Sequence, residues 1–426
     1  MIENEEHKGF WFLPENIENK VPGILYFEKN KEIRLELIGG FETNVKDVLL
    51  NILDNKTVEI IHGVNNKNEK ISLLFCNGRR SVNFPSPFQT TNYFCQYFIK
   101  GKHLLDIHEL TFNRIQADLS NLYDWLPSGM LKNTISLTED NKLSQTTVSL
   151  DKNDSWEKDF EIGSDYELKI FGFGNFSDSG DNSEYHFYQN TIVEITHKTS
   201  RKSFADLLNK LGLFRQFLSL ATLSSINYRE LTLFDNSDFY EYKNGDTETN
   251  RVSLYFIEDK EITSKNKSYH FLFSFQDIEP VFPNIIKKWY TSKKSLAPIR
   301  THLISSIKPK VKFTSLDFLI IVQSLEGYHR RFIDCKDKTL KTRLDELIKL
   351  FNGVNKIKNK PINLTHVVNS RNYYSHFFDK NKNVLDGKEL YFLTKQLRNL
   401  LICCVLNLIG FDDNLINRLL NKNEKL

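Results

Sequence analysis

The sequence predicts an α+β multidomain protein, with a β-rich, sandwich-like N-terminal region followed by a C-terminal all-α four-helix bundle. Three observations carry that expectation. From residue 9 to about 200, apolar and polar residues alternate with period two between Gly, Asn, Asp and Pro turn signals. From about Phe282 onward only i, i+3, i+4 apolar spacing remains. Charge divides at the same place: residues 281–426 carry 27 Lys and Arg against 12 Asp and Glu, net +15, while the first 280 carry 30 against 42, net −12. A chain of 426 residues exceeds one ordinary core. The expected divisions are 1–200 for the β-rich domain, 201–280 for a mixed connecting region and 281–426 for the helical domain.

Taken in order, "GILYFEKNKEIRLELIGGF" (23–41) reads as a hairpin. "KISLLFCNGRRSVNF" (70–84) reads as a second, with Asn77-Gly78 supplying a φ > 0 turn. "YFCQYFIKGKHLLD" (93–106), "SDYELKIFGFG" (164–174) and "HFYQNTIVEITHK" (186–198) continue the strand pattern, and "FGNFSDSGDNSE" (173–184) reads as a polar loop. Helical spacing begins with "SFADLLNKLGLFRQFLSLAT" (203–222). In the last domain, 314–332 opens with the capping pair Thr314 and Asp317 and carries the stripe Phe318, Ile321, Val322, Leu325, Tyr328, Phe332. Segments 338–352, 365–378 and 387–410 complete the bundle, with the boundary into it marked by Lys308-Pro309-Lys310.

The apolar run "LLICCVLNLIG" (400–410) is too short to span a bilayer and reads as the central buried helix. The acidic start lacks the apolar stretch of a secretory signal. Cys76, Cys95, Cys335, Cys403 and Cys404 have neither ligand spacing nor an even count, which fits a reducing cytosol; the expected location is cytoplasmic, with no membrane partner. No phosphate loop, zinc spacing or nucleophile elbow occurs, so no cofactor and no metal are expected.

The basic helical half favours a polyanion, and its segment 287–312 holds eight basic residues and no acidic one. Charge complementarity suggests that the acidic part covers the basic cleft until a trigger arrives.

Within that half, "SRNYYSHF" (370–377) places Arg371 and His376 five positions apart. Helical spacing puts Leu364, Val367, Val368, Arg371, Tyr374, Ser375 and Phe378 on one face, so that Arg371 interrupts an apolar stripe. On an ideal helix, Arg371 and His376 point about 140° apart, so their convergence within one chain needs the helix to end near His376. An arginine can bind a scissile phosphate in bidentate fashion, and a histidine can take a proton from a ribose 2′-OH. Together they suffice for metal-independent RNA cleavage that leaves a 2′,3′-cyclic phosphate. With 15 Arg and 11 His in the chain, the spacing alone arises by chance about once; Asn372 and the basic helical context sharpen it.

"RNYYSH" resembles the R-x4–6-H signature of HEPN domains, whose preferred residue after the arginine is Asn, Asp or His. The helical order, with "SLEGYHRRF" some 40 residues upstream, resembles the HEPN domain of ApeA-type abortive phage infection proteins, and "GFWFLPE…VPGILYFEKNKEIRLEL" (9–37) is similar to the N-terminal domain that accompanies it. The resemblance implies an endoribonuclease of bacterial antiphage defence acting on RNA, with tRNA the foremost candidate and a phage-derived trigger. It also implies a homodimer in which two copies of the motif form one cleft. Arg371 and His376 are the implied catalytic residues, with Asn372 orienting them.

Glu326, His329 and Arg330 share one ridge of their helix, from which Glu326 could hold Arg371 or His376; an ordinary Glu326–Arg330 pair is as good a reading. Tyr374 can stack on a base or pack in the core. The alternative function is a non-catalytic helical dimerisation or RNA-binding module in which Arg371 is a structural ion-pair residue.

Overall fold

In Glu32–Ile38 every second side chain, Ile33, Leu35 and Leu37, is buried, while Arg34 on the outer face donates to Glu32 at 3.0 Å and Glu36 at 2.7 Å. This is the period-two pattern of a half-buried strand. The computed structural model describes residues 4–28, 31–41, 57–81, 90–106, 108, 110–151, 155–180, 183–258, 270–308 and 313–423. The chain divides into two units. The first comprises Met1–Ser120, Ile192–Leu211 and Asn227–Lys260, and the second Asn121–Thr191, Gly212–Ile226 and Glu261–Leu426.

In the first unit, strands β1 (Asn4–Leu13), β2 (Asn16–Glu28), β3 (Glu32–Ile38), β4 (Thr57–Asn65), β5 (Lys70–Ser81) and β6 (Thr90–Phe94) pair antiparallel in the order β4-β1-β2-β3-β6, and β5 pairs with both β4 and β6. The ring therefore closes as a six-stranded barrel. Trp11, Leu25, Phe27, Leu35, Ile61, Leu73 and Phe98 belong to its core. Gly63 is required there, because a Cβ would lie 2.3 Å from the Trp11 ring. The β-rich expectation holds, with closure into a barrel in place of two packed layers.

The same closure corrects the second expected hairpin. Asn77 and Gly78 do not turn the chain; they lie inside β5, opposite Phe94 and Tyr93. The left-handed residue is Phe75 (φ 54), which kinks the strand. Before it, Ile71–Leu74 pair with β7 (Tyr97–Lys100); after it, Asn77–Ser81 pair with β6. A strand that changes partner at a barrel corner needs that bend. From β7 the unit's sheet continues through β12 (Thr247–Phe256), β11 (Tyr228–Glu241) and β8 (Arg114–Leu119) to the end of β10 (Tyr185–His197). The expected loop 173–184 is shorter than the spacing suggests, since β9 (Tyr166–Asp178) runs six residues into it.

The second unit holds the helices α2 (Phe282–Thr291), α3 (Lys293–Ile307), α4 (Ser315–Phe332), α5 (Leu340–Leu350), α6 (Leu364–His376), α7 (Gly387–Ile409) and α8 (Asp413–Lys422), which follow α1 (Phe204–Thr222) in the chain. The four expected bundle helices are α4 to α7. At the start of α4, the Asp317 carboxylate accepts from the Thr314 N–H at 2.8 Å and its hydroxyl at 3.1 Å, as the capping pair predicts. The α4 stripe is buried except for half-buried Phe332. Helix α7 is central, packed by α2, α3, α4, α5 and α8. Although long and apolar enough to cross a membrane, it is mostly buried inside its unit. Helix α3 ends at Ile307 with Lys308 as its cap; Pro309 and Lys310 lie outside the described residues.

Two cations of the basic segment 287–312 have partners within their unit. Arg300 is 3% exposed, its guanidinium 4.9 Å from the Trp289 ring and donating to the Trp289 carbonyl at 3.3 Å; burial pushes it down to about 10. Lys287 lies 3.6 Å from Glu161.

Candidate active site

Helix α6 begins where the Asn363 side chain accepts from the N–H groups of Thr365 (3.0 Å) and His366 (3.3 Å). It ends at His376, because Phe377 adopts the left-handed conformation (φ 57, ψ 34) and its N–H closes on the Tyr373 carbonyl at 3.1 Å. The helix packs on α4 and α5. Its buried line is Val367 and Ser370, which moves the inner face one residue away from the expected stripe. The small Ser370 side chain lets the returning loop approach: its Oγ accepts from the Leu385 N–H at 2.9 Å, and Tyr374 Oη donates to the Leu385 carbonyl at 3.1 Å. Arg371 consequently does not interrupt the buried stripe but lies half-buried on its flank.

The helix end resolves the angular difficulty of the motif. Arg371 Nη1 contacts His376 Nε2 at 2.5 Å and Asn372 Oδ1 at 3.2 Å, so one chain brings all three residues together. A guanidinium only donates. In this contact His376 Nε2 is therefore the acceptor. Both hydrogens of Nη1 are engaged, whereas the Nε and Nη2 edge, the fork that matches a phosphate, makes no hydrogen bond among the described residues. His376 itself is exposed.

The supporting residues are not gathered here. No hydrogen bond or ion pair among the described residues joins half-buried Glu326 to Arg371, His376 or Arg330, and Arg330 is exposed. His329 is fully buried in a separate network. Its Nδ1 accepts from Arg343 Nη1 at 3.0 Å, and its Nε2–H donates to Glu346 at 2.6 Å. Arg343, 1% exposed, also donates to the carbonyls of Asp334 (3.0 Å) and Lys336 (2.6 Å). Lys338 bridges Glu346 at 2.7 Å and Asp334 at 2.8 Å. The Lys338 ammonium, then His329, lower the Glu346 carboxyl, while Lys338 and the Lys336 N–H hold Asp334 down at about 2. This network fastens α5 to the end of α4. Tyr374 serves the loop anchor, and burial raises its hydroxyl.

Two exposed aromatics beside the motif, Phe377 and Phe378, escaped the sequence reading, because apolar spacing assigns Phe378 to the buried face.

A basic helical domain whose Arg–Asn–His cluster closes at a helix end is of the HEPN class, a family of metal-independent ribonucleases found in defence systems; the Apea-like HEPN family matches residues 319–415. ApeA N-terminal domain 1 matches residues 6–289, and the chain belongs to the ApeA family. No curated protein and no solved structure matches it.

Proposed function

We propose that this chain is a metal-independent endoribonuclease of bacterial antiphage, abortive-infection defence, with Arg371 and His376 catalytic and Asn372 orienting Arg371. The observation that carries the reading is the Arg371–His376 contact, beside a guanidinium fork that makes no hydrogen bond among the described residues. On this reading the fork binds the scissile phosphate and stabilises charge on the pentacoordinate phosphorus. His376 Nε2 takes the 2′-OH proton, the 2′ oxygen attacks phosphorus, and the bond to the 5′ oxygen breaks. The products are a 2′,3′-cyclic phosphate and a 5′-OH. The leaving oxygen needs a proton donor, which His376 of a second copy would supply in a homodimer. RNA, tRNA foremost, is the proposed substrate, and the β-rich region carries recognition of a phage-derived trigger.

The non-catalytic alternative makes Arg371 an ion-pair residue. Among the described residues Arg371 pairs with no carboxylate, which disfavours it. The test is incubation of the purified protein with total RNA in EDTA, beside His376→Ala. Cleavage by the wild type alone, with cyclic-phosphate ends, supports the enzyme. Undiminished cleavage by the variant removes His376 from the mechanism.

A further inference from the structure

The chain leaves α6 through two consecutive phenylalanines, and both face solvent: Phe377 is 88% and Phe378 60% exposed. Burying neither ring in a protein of this size gains nothing for folding. Phe377 moreover holds φ 57, a backbone region that a bulky side chain rarely occupies and that costs about 1–2 kcal/mol. Glycine would occupy that helix end without strain. The turn does have a geometric result: it brings the Phe378 ring to 5.8 Å from the His376 imidazole, tilted by 41°. Around the two rings, Ser375, Asp379, Lys380, Asn381 and Lys382 are all exposed and polar. Isolated rings in a polar rim differ from the contiguous apolar core of a protein interface.

We propose that Phe378 is a substrate-positioning residue: an unpaired nucleobase next to the scissile phosphate stacks on its exposed face and sets the ribose against His376. The inference rests on the endoribonuclease reading of the same site. A stacked ring sits about 3.5–4 Å above Phe378, within one nucleotide's reach of the imidazole. Stacking accepts any base because every base has a π-face, yet it excludes duplex RNA, whose bases are already stacked and paired. The substrate class is thus single-stranded RNA or an RNA loop, with weak preference for base identity.

The experiment uses the full chain and a short single-stranded RNA carrying 2-aminopurine, with every 2′-OH methylated to 2′-O-methyl so that the attacking hydroxyl is blocked and nothing is cut. Wild type should quench the fluorophore on binding. Phe378→Ala should lose the quenching and about ten- to a hundred-fold in affinity. Phe378→Trp should restore both, and Phe378→Leu, which keeps the apolar bulk, should not. An abasic substitution at the reporter position should weaken wild type and leave Phe378→Ala unchanged. Quenching by Phe378→Ala equal to wild type overturns the proposal. So does a variant that only lowers the oligomer mass while keeping the abasic penalty, which would make the rings a protein interface. Because nothing is cleaved, failure of the ribonuclease reading appears separately, in the EDTA assay.

Discussion

Two histidines of the helical domain should separate cleanly when each is replaced by alanine. His329 is fully buried, accepting from the Arg343 guanidinium at 3.0 Å and donating to the Glu346 carboxylate at 2.6 Å. His329→Ala removes two hydrogen bonds to charged groups, each worth about 1.5–3 kcal/mol. It also leaves a cavity the size of an imidazole. Arg343 keeps the Asp334 and Lys336 carbonyls, and Glu346 keeps Lys338, so the loss is partly absorbed. A net destabilisation of about 3–5 kcal/mol follows, in line with breaking a buried charge-assisted pair. His376→Ala removes an exposed ring and should shift stability by no more than about 0.5 kcal/mol. Urea unfolding of both variants followed by helical circular dichroism measures the first effect. RNA cleavage well below the transition measures the second: His329→Ala should still cut and His376→Ala should not. A His329→Ala protein as stable as wild type, or folded but inactive while His376→Ala cleaves, would refute the assignment of the two roles.

Arg371→Lys should lower cleavage by about 10²–10³-fold, measured as initial rates at saturating RNA, since a single ammonium cannot grip a phosphate with the two-pronged fork of a guanidinium. Asp334 titrates at about 2 in the folded chain against 3.8 without partners, so its contribution is complete above about pH 4 and is lost as pH falls toward 2. Asp334→Asn should flatten that part of an acid-unfolding curve and leave the neutral-pH part parallel. Gly63→Ala forces a Cβ to 2.3 Å from the Trp11 ring and should destabilise the barrel by about 1–3 kcal/mol or more, read from Trp fluorescence during unfolding.

The order of the fold was legible where one local pattern decides it. Period two placed β3, the capping pair placed the start of α4, and continuous apolar spacing placed α7 at the centre. Barrel closure was not legible, because it depends on which neighbour β5 adopts on either side of Phe75, a non-local choice. Asn77-Gly78 misled for the same reason: a good turn pair stays extended when a second strand satisfies its backbone. In the candidate site, Arg371, Asn372 and His376 were singled out by type and order, and the end of α6 makes their side chains meet. His329 was singled out by ridge spacing, but spacing does not say which side of a helix is inside. Its partners come from α5, which the α4 sequence cannot show.

The contact that defines the site also limits it. On the proposed mechanism, the Nε2 lone pair that accepts from Arg371 is also the one that takes the 2′-OH proton, so both tasks cannot proceed at once. An anionic phosphate at the open fork competes for the guanidinium, because a charge-assisted bidentate pair is stronger than a bond to a neutral imidazole. On that mechanism, substrate binding draws Arg371 toward phosphorus and frees Nε2 in the same movement, next to the ribose it is proposed to deprotonate. The protonated imidazole that results cannot serve at once as the acid for a 5′ oxygen departing on the opposite, in-line side of the phosphorus. On the proposed mechanism one chain thus supplies a base and an electrostatic clamp, and the in-line geometry of that displacement is the argument for the proposed second Arg–His pair facing the first.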